Sequence, residues 1–176
     1  MSERIPPPPG ASKLYVQLHD TALAFVDAQA QDAEHPLRMN FDRIQALLAP
    51  DFQHTWGHNH AVSLNPRLQG THSFLLFTKH LEAMLPNLES WDTTVTDVVV
   101  DEVRRKVMLR LSMRMRVKGK GKVEAREVEN DLLWALEMDK EGKIRRSTEF
   151  IDAVAAGRIK EIMGEQGSKS AEDVES

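Results

Sequence analysis

From Arg104 to Lys118 apolar and charged side chains alternate without a break, and nothing else in the chain constrains its fold as strongly. A period of two over that length can bury one face only as an extended strand. Val107, Leu109, Leu111, Met113, Met115 and Val117 fall on one side, while Lys106, Arg110, Arg114, Arg116 and Lys118 fall mostly on the other. Lys118 to Lys122, with its two glycines, is a hairpin turn into a second long strand over 123–138. Asp139 to Gly142 is a tight turn, and Lys143 to Ile151 a final strand. Upstream, the β-branched run from Thr93 predicts a strand over 91–101.

The first half has a different period. Ser12 is placed to cap a helix reaching about residue 30, with Leu14, Leu18, Ala22, Phe25 and Val26 at helical spacing. Asn40 caps a short second helix that Pro50 ends. Phe52 to Trp56 alternate as a short strand closed by Gly57, and His58 to Gly70 reads as a polar loop. A third helix over about 72–85 carries Phe74, Phe77, Leu81 and Met84 as its buried stripe. Helices in one half and hairpin-linked strands in the other predict a segregated α+β fold: a curved antiparallel sheet wrapped on about three helices, with a pocket inside.

The 176 residues suffice for one core and are too few to favour two. Residues 1–11, with Pro6 to Pro9, are expected to be an extended or disordered lead. Residues 12–163 form the domain, including a terminal helix to about Met163, and the polar stretch 164–176 is expected to be disordered. A net charge of −4 argues against nucleic acid or an anionic membrane as partner. The basic run from Arg104 to Lys122 does not reverse this. It sits on one strand face opposite Glu124, Glu127 and Glu129 and lacks the aromatic interleaving of a single-strand binder. With no cysteine, disulfides, thiolate metal sites and cysteine nucleophiles are excluded. No apolar run approaches a membrane span, and a cytoplasmic protein is expected.

Several local phrases add a family resemblance. Leu47-Leu48-Ala49-Pro50-Asp51-Phe52, Leu68-Gln69-Gly70-Thr71, Asn130-Asp131 followed by Trp134, Asp139-Lys140-Glu141-Gly142-Lys143-Ile144 and Glu149-Phe150-Ile151-Asp152 occur in the order found in the SnoaL-like branch of the nuclear-transport-factor-two-like superfamily. The chain resembles that branch over residues 12–160, and most nearly its fungal secondary-metabolite isomerases and cyclases. The resemblance implies a cone-shaped fold and a rearrangement of hydrophobic intermediates, commonly without a cofactor. It also admits binding domains with no catalysis. Several such enzymes carry tyrosines on the pocket strands. Here the single tyrosine, Tyr15, lies in the first helix, which favours carboxylate and imidazole chemistry.

Two clusters are candidates for that chemistry. His54 shares strand parity with Phe52 and Trp56, so it either points into the cone as a proton shuttle or bonds a backbone group. His58 and His60 follow in the loop as oxyanion stabilisers or solvated side chains. No carboxylate comes soon after them to complete a metal site, so no metal is expected, and the family resemblance implies no cofactor. Asp131, with Glu129 beside it, interrupts an apolar strand. It is either a buried general acid–base group or a surface acid paired with Arg110, Arg114 or Arg146. Glu149 on the last strand is the next acid in line. Arg38, in the linker between the first helices, is either a cation over the cone mouth or a solvated residue.

The expected reaction is a cofactor-independent acid–base rearrangement by Asp131 and His54. Trp56, Phe74, Phe77, Leu109, Met113 and Trp134 are the expected apolar walls around a hydrophobic substrate. The other reading is a non-catalytic binding or dimerisation domain, and a homodimer is expected in either case. Leu132, Trp134 and Leu136 on one strand face form its interface or, alternatively, part of the pocket.

Overall fold

The computed structural model describes residues 5–119 and 125–172, with side chains as far as 164. Ser12 caps the first helix, α1 (Lys13–Asp27), its Oγ accepting from the Tyr15 N–H at 2.9 Å. Asn40 caps α2 (Phe41–Gln45) by accepting from the Asp42 and Arg43 N–H groups. Ser73 caps α4 (Phe74–Met84), so that helix starts two residues after the expected position. In each case a short polar side chain satisfies N–H groups that the first turn cannot pair internally.

The strands are β1 (Leu48–Trp56), β2 (Leu88–Asp101), β3 (Lys106–Val117), β4 (Arg126–Met138) and β5 (Ile144–Phe150). They form one curved, unclosed sheet in the order β1-β5-β4-β3-β2. β2 to β5 pair antiparallel as hairpins, whereas the edge strand β1 runs parallel to β5. The turn expected over 118–122 lies partly outside the described residues, as does Glu124.

Three local expectations change. Pro50 does not end a helix; α2 has closed by Gln45, and Pro50 sits inside β1, where the register slips between Leu48 and Gln53. An edge strand with a bulge tolerates a residue that has no N–H to give. The segment from His58 to Gly70, expected as a polar loop, contains α3 (Asn59–Ser63) and a 3-10 turn over Pro66–Leu68. The terminal helix α5 (Ala153–Glu172) continues past Met163. No helix among the described residues is long and apolar enough to cross a membrane.

The core lies between the concave face of the sheet and the helices. Leu18, Ala22 and Phe25 of α1 share one core with Leu109, Leu111 and Trp134, with Phe25 and Trp134 edge to face at 5.0 Å. Leu132, Trp134 and Leu136 are all buried on this inner face, which is the pocket side of the two readings given for them. The outer face carries cross-strand ion pairs, Lys106–Glu137 at 2.7 Å and Arg110–Asp131 at 2.6 Å, with acids other than the three expected opposite the basic run.

Candidate active site

The pairing register sets functional side chains in rows across the concave face. Trp56 of β1 is opposite Glu149 of β5, which is opposite Trp134 of β4, which in turn faces Leu109 of β3. One row over, His54 is opposite Ser147 and Ser147 opposite Leu136. Because alternate strand residues share a face, the inward set His54/Trp56 and Ser147/Glu149 follows from the burial of Leu136 and Trp134.

His54 is completely buried. Its ring is held between Trp56, at 4.3 Å, and Phe77, at 4.6 Å. Nδ1 shares a 2.6 Å hydrogen bond with the Ser147 hydroxyl. Nε2 has no hydrogen-bond partner and lies 3.9 Å from Oε2 of Glu149. Burial, reinforced by the nearby His72 and His80, lowers the imidazole to about 3 and keeps it neutral.

Glu149 behaves in the opposite sense. Its side chain is 16% exposed and forms part of the wall of a cavity of about 660 Å³. Burial pushes its carboxyl up to about 7, against the opposing effect of a hydrogen bond from Trp56. A carboxyl tuned to neutrality beside a largely apolar cavity can take or give a proton at physiological pH.

The rest of the cavity is largely apolar. Phe77, Leu81, Leu111, Met113, Leu132 and Trp134 face it from α4 and the sheet, and Ile159 and Met163 of α5 close another side. Two polar wall residues were not expected from the sequence. His80 of α4 packs on Trp56 at 4.9 Å, and burial followed by the charges of His72 and Arg67 lowers its proton affinity. Asn130 is buried, and its Oδ1 accepts from the Asp152 N–H at 3.0 Å, leaving its amide N–H₂ as a donor on the cavity wall.

No protein-family model matches the sequence, and neither does any curated protein. Solved structures do. The pinacolase BvnE of Penicillium brevicompactum is similar over 90% of this chain and 99% of its own, at 14% identity and a TM-score of 0.68. A Jannaschia sp. CCS1 protein assigned as a SnoaL-like polyketide cyclase is similar over 83% of this chain and 92% of its own, at 14% identity and a TM-score of 0.63. An LEH-like epoxide hydrolase of M. tuberculosis is similar over 81% of this chain and 88% of its own, at 13% identity and a TM-score of 0.55. The fold is SnoaL-like. At these identities the likeness establishes architecture, and the structural neighbours include enzymes of several reaction types.

On this SnoaL-like frame the remaining candidates take definite places. Asp131 does not face the cone. With Asn130 and Leu132 both inward, β-strand parity turns Asp131 outward, where Arg110 grips it through Nε at 3.0 Å and Nη2 at 2.6 Å. That hydrogen-bonded guanidinium lowers its pKa, the reverse of what a neutral-pH acid–base group needs. Glu129, also outward, accepts a hydrogen bond from Ser112.

Arg38 does not cover the mouth. Its left-handed backbone, with φ 58°, turns the side chain onto Trp91 at 5.1 Å. There the guanidinium donates to the backbone carbonyls of Leu85, Leu88 and Glu89. It fastens the α1–α2 linker to the start of β2.

His58 and His60 are exposed and outside the cavity wall. His58 has φ 63° and sets its ring edge to face against Phe150 at 5.7 Å, so the three imidazoles of this segment do not converge. Of the expected apolar walls, Trp56, Phe77, Met113 and Trp134 line the cavity. Leu109 is inward but lies in the packed core, and Phe74 packs on Phe52 at 6.4 Å, away from the cavity.

Proposed function

We propose that this protein is a cofactor-independent isomerase or cyclase that rearranges a hydrophobic secondary-metabolite intermediate of polyketide, terpenoid or alkaloid type. Glu149 is its proton-transfer group. The observation that carries this reading is the buried carboxyl of Glu149, raised to about 7, on the wall of a largely apolar cavity.

In the carboxylate form Glu149 takes a proton from a carbon next to a substrate carbonyl. The C–H pair moves into the enolate and the carboxylate oxygen gains the proton. The neutral acid then returns it to a different atom of the same molecule, so the net change is an isomerisation or ring closure without redox. Such transfer contributes roughly 10²–10⁴-fold. His54 does not touch the cavity and serves as a positioning residue: clamped by Ser147, it keeps a neutral, apolar floor behind Glu149. The Asn130 amide is a donor for substrate oxygen. That a pinacolase and an assigned polyketide cyclase share this fold supports the reaction class.

The test is deuterium exchange. In D₂O, wild-type protein should catalyse exchange at the α-carbon of hydrophobic cyclic ketones, followed by proton NMR, with Glu149→Gln slower by about two orders of magnitude. Exchange by Glu149→Gln at the wild-type rate would remove Glu149 from the chemistry.

A further inference from the structure

The cavity wall is electrostatically one-sided. Arg67 and Lys160 both line it, and among the described residues its one carboxyl is Glu149, which burial raises to about 7. This runs against the composition of a chain with 27 acidic and 23 basic residues.

Arg67 is set on the 3-10 turn over Pro66–Leu68. Asn65 caps that turn by accepting from the Arg67 N–H at 3.2 Å, and Pro66 stiffens it. Arg67 lines the cavity from this turn, and its charge adds to the burial and the His72 charge that lower the proton affinity of His80. Lys160 follows buried Ile159 on α5, and of the nearest acids whose side chains are described, Glu161 is held by Arg158 at 2.5 Å and Asp152 caps the first turn through the Val154 and Ala155 N–H groups. Both cations are exposed where they line the cavity, and no ion pair with an acid among the described residues engages either of them.

We infer that the ligand is an amphiphile whose apolar body fills the cavity and whose terminal carboxylate is held at the rim by Arg67 and Lys160. The inference rests on the proposed function in placing the substrate in this cavity, and it adds the anionic end. A guanidinium on a rigid turn grips a carboxylate with paired N–H donors, and the flexible ammonium on the helix supplies a second, adjustable charge. A neutral ligand of the same shape would leave both cations solvated and gain nothing from them. A cationic one would be repelled.

Fluorescence titration with dansylundecanoate, its methyl ester and the matching primary amine tests this without any turnover. The acid should bind about tenfold tighter than the ester at low salt, and the amine weakest, with the advantage shrinking at about 0.5 M salt. In the Arg67→Ala/Lys160→Ala double variant the acid should fall to the affinity of the ester, while the ester itself is unchanged. Unchanged ester binding also shows that the variant is folded. Equal binding of acid and ester by the wild type, or a preference that survives in the double variant, would overturn the inference. Binding by Glu149→Gln protein should keep the preference for the acid, so failure here and failure of Glu149 as the proton-transfer group are read by separate experiments.

Discussion

Nε2 of His54 stands 3.9 Å from Oε2 of Glu149, and in this pair the usual order of acidity is inverted. The imidazolium is the stronger acid, at about 3, and the carboxyl the weaker, at about 7. Between those values both groups are neutral, so the pair is no ion pair over most of the acidic range. One cause, burial, moves both toward their uncharged forms.

The inversion predicts an unusual dependence of stability on pH. The folded-state pKa of Glu149 is raised from 4.5 to about 7, so its contribution is fully present below 4.5 and is lost as pH rises through 7. His54 is lowered from 6.5 to about 3, so its contribution is present above 6.5 and lost as pH falls through 3. From about 4.5 to 6.5 the two slopes oppose and nearly cancel. Glu149→Gln removes one of them. Its stability should gain on wild type between pH 4.5 and 8 by about 3 kcal/mol. Urea unfolding at a series of pH values reads this directly, and parallel curves for the two proteins would show that Glu149 titrates normally.

Ser147→Ala should be costly although it deletes a single oxygen. It leaves Nδ1 of His54 buried without its 2.6 Å partner, a loss of about 1–3 kcal/mol. The denaturation midpoint is the measurement, and a change near zero would mean that the imidazole finds another partner.

Asp131→Asn should leave both proton exchange and ligand affinity at wild-type levels, with only a small change in melting temperature. Asp131 pairs with Arg110 on the solvent side of the sheet, where such pairs are weak, and the cavity lies behind the opposite face. Loss of exchange in this variant would contradict the placement of the site.

Arg38→Ala should lower stability by about 2 kcal/mol and leave affinity for dansylundecanoate unchanged. The guanidinium serves three backbone carbonyls and Trp91, none of which it shares with the cavity ligand. Thermal melts and the fluorescence titration separate the two effects. Weakened binding with unchanged stability would return Arg38 to the rim.

Gly57→Ala should disturb the site from outside it. A Cβ there would meet Cδ1 of Phe150 at 2.1 Å, displacing the ring next to Glu149, at a cost of about 1–3 kcal/mol. The Gly57 N–H also donates to the Glu149 carbonyl at 2.7 Å, so the displacement reaches the acid through both neighbours. A shift in the Glu149 titration, read through Trp56 fluorescence, should accompany the lost stability.

The sequence by itself determined the long elements and the apolar inward set of the central strands. Alternation in β3 and β4 assigns Leu109, Leu111, Leu132 and Trp134 to one face, and the parity of Phe52, His54 and Trp56 brings His54 to the core. The same rule, applied outward from Trp134, places Asn130 inside and Asp131 outside; a chemically attractive acid obscured that reading. Glu149 became decisive only in the tertiary structure, because its pKa depends on β1 and β4 flanking β5 and on Trp56 reaching its carboxyl. Arg38 and Arg67 could not be told apart in advance. Each is an arginine in a polar connection, and what separates them is whether backbone carbonyls or an open cavity lie within reach. Local pattern decides which face a side chain takes. Long-range packing decides what it meets there, and the environment it meets sets its charge.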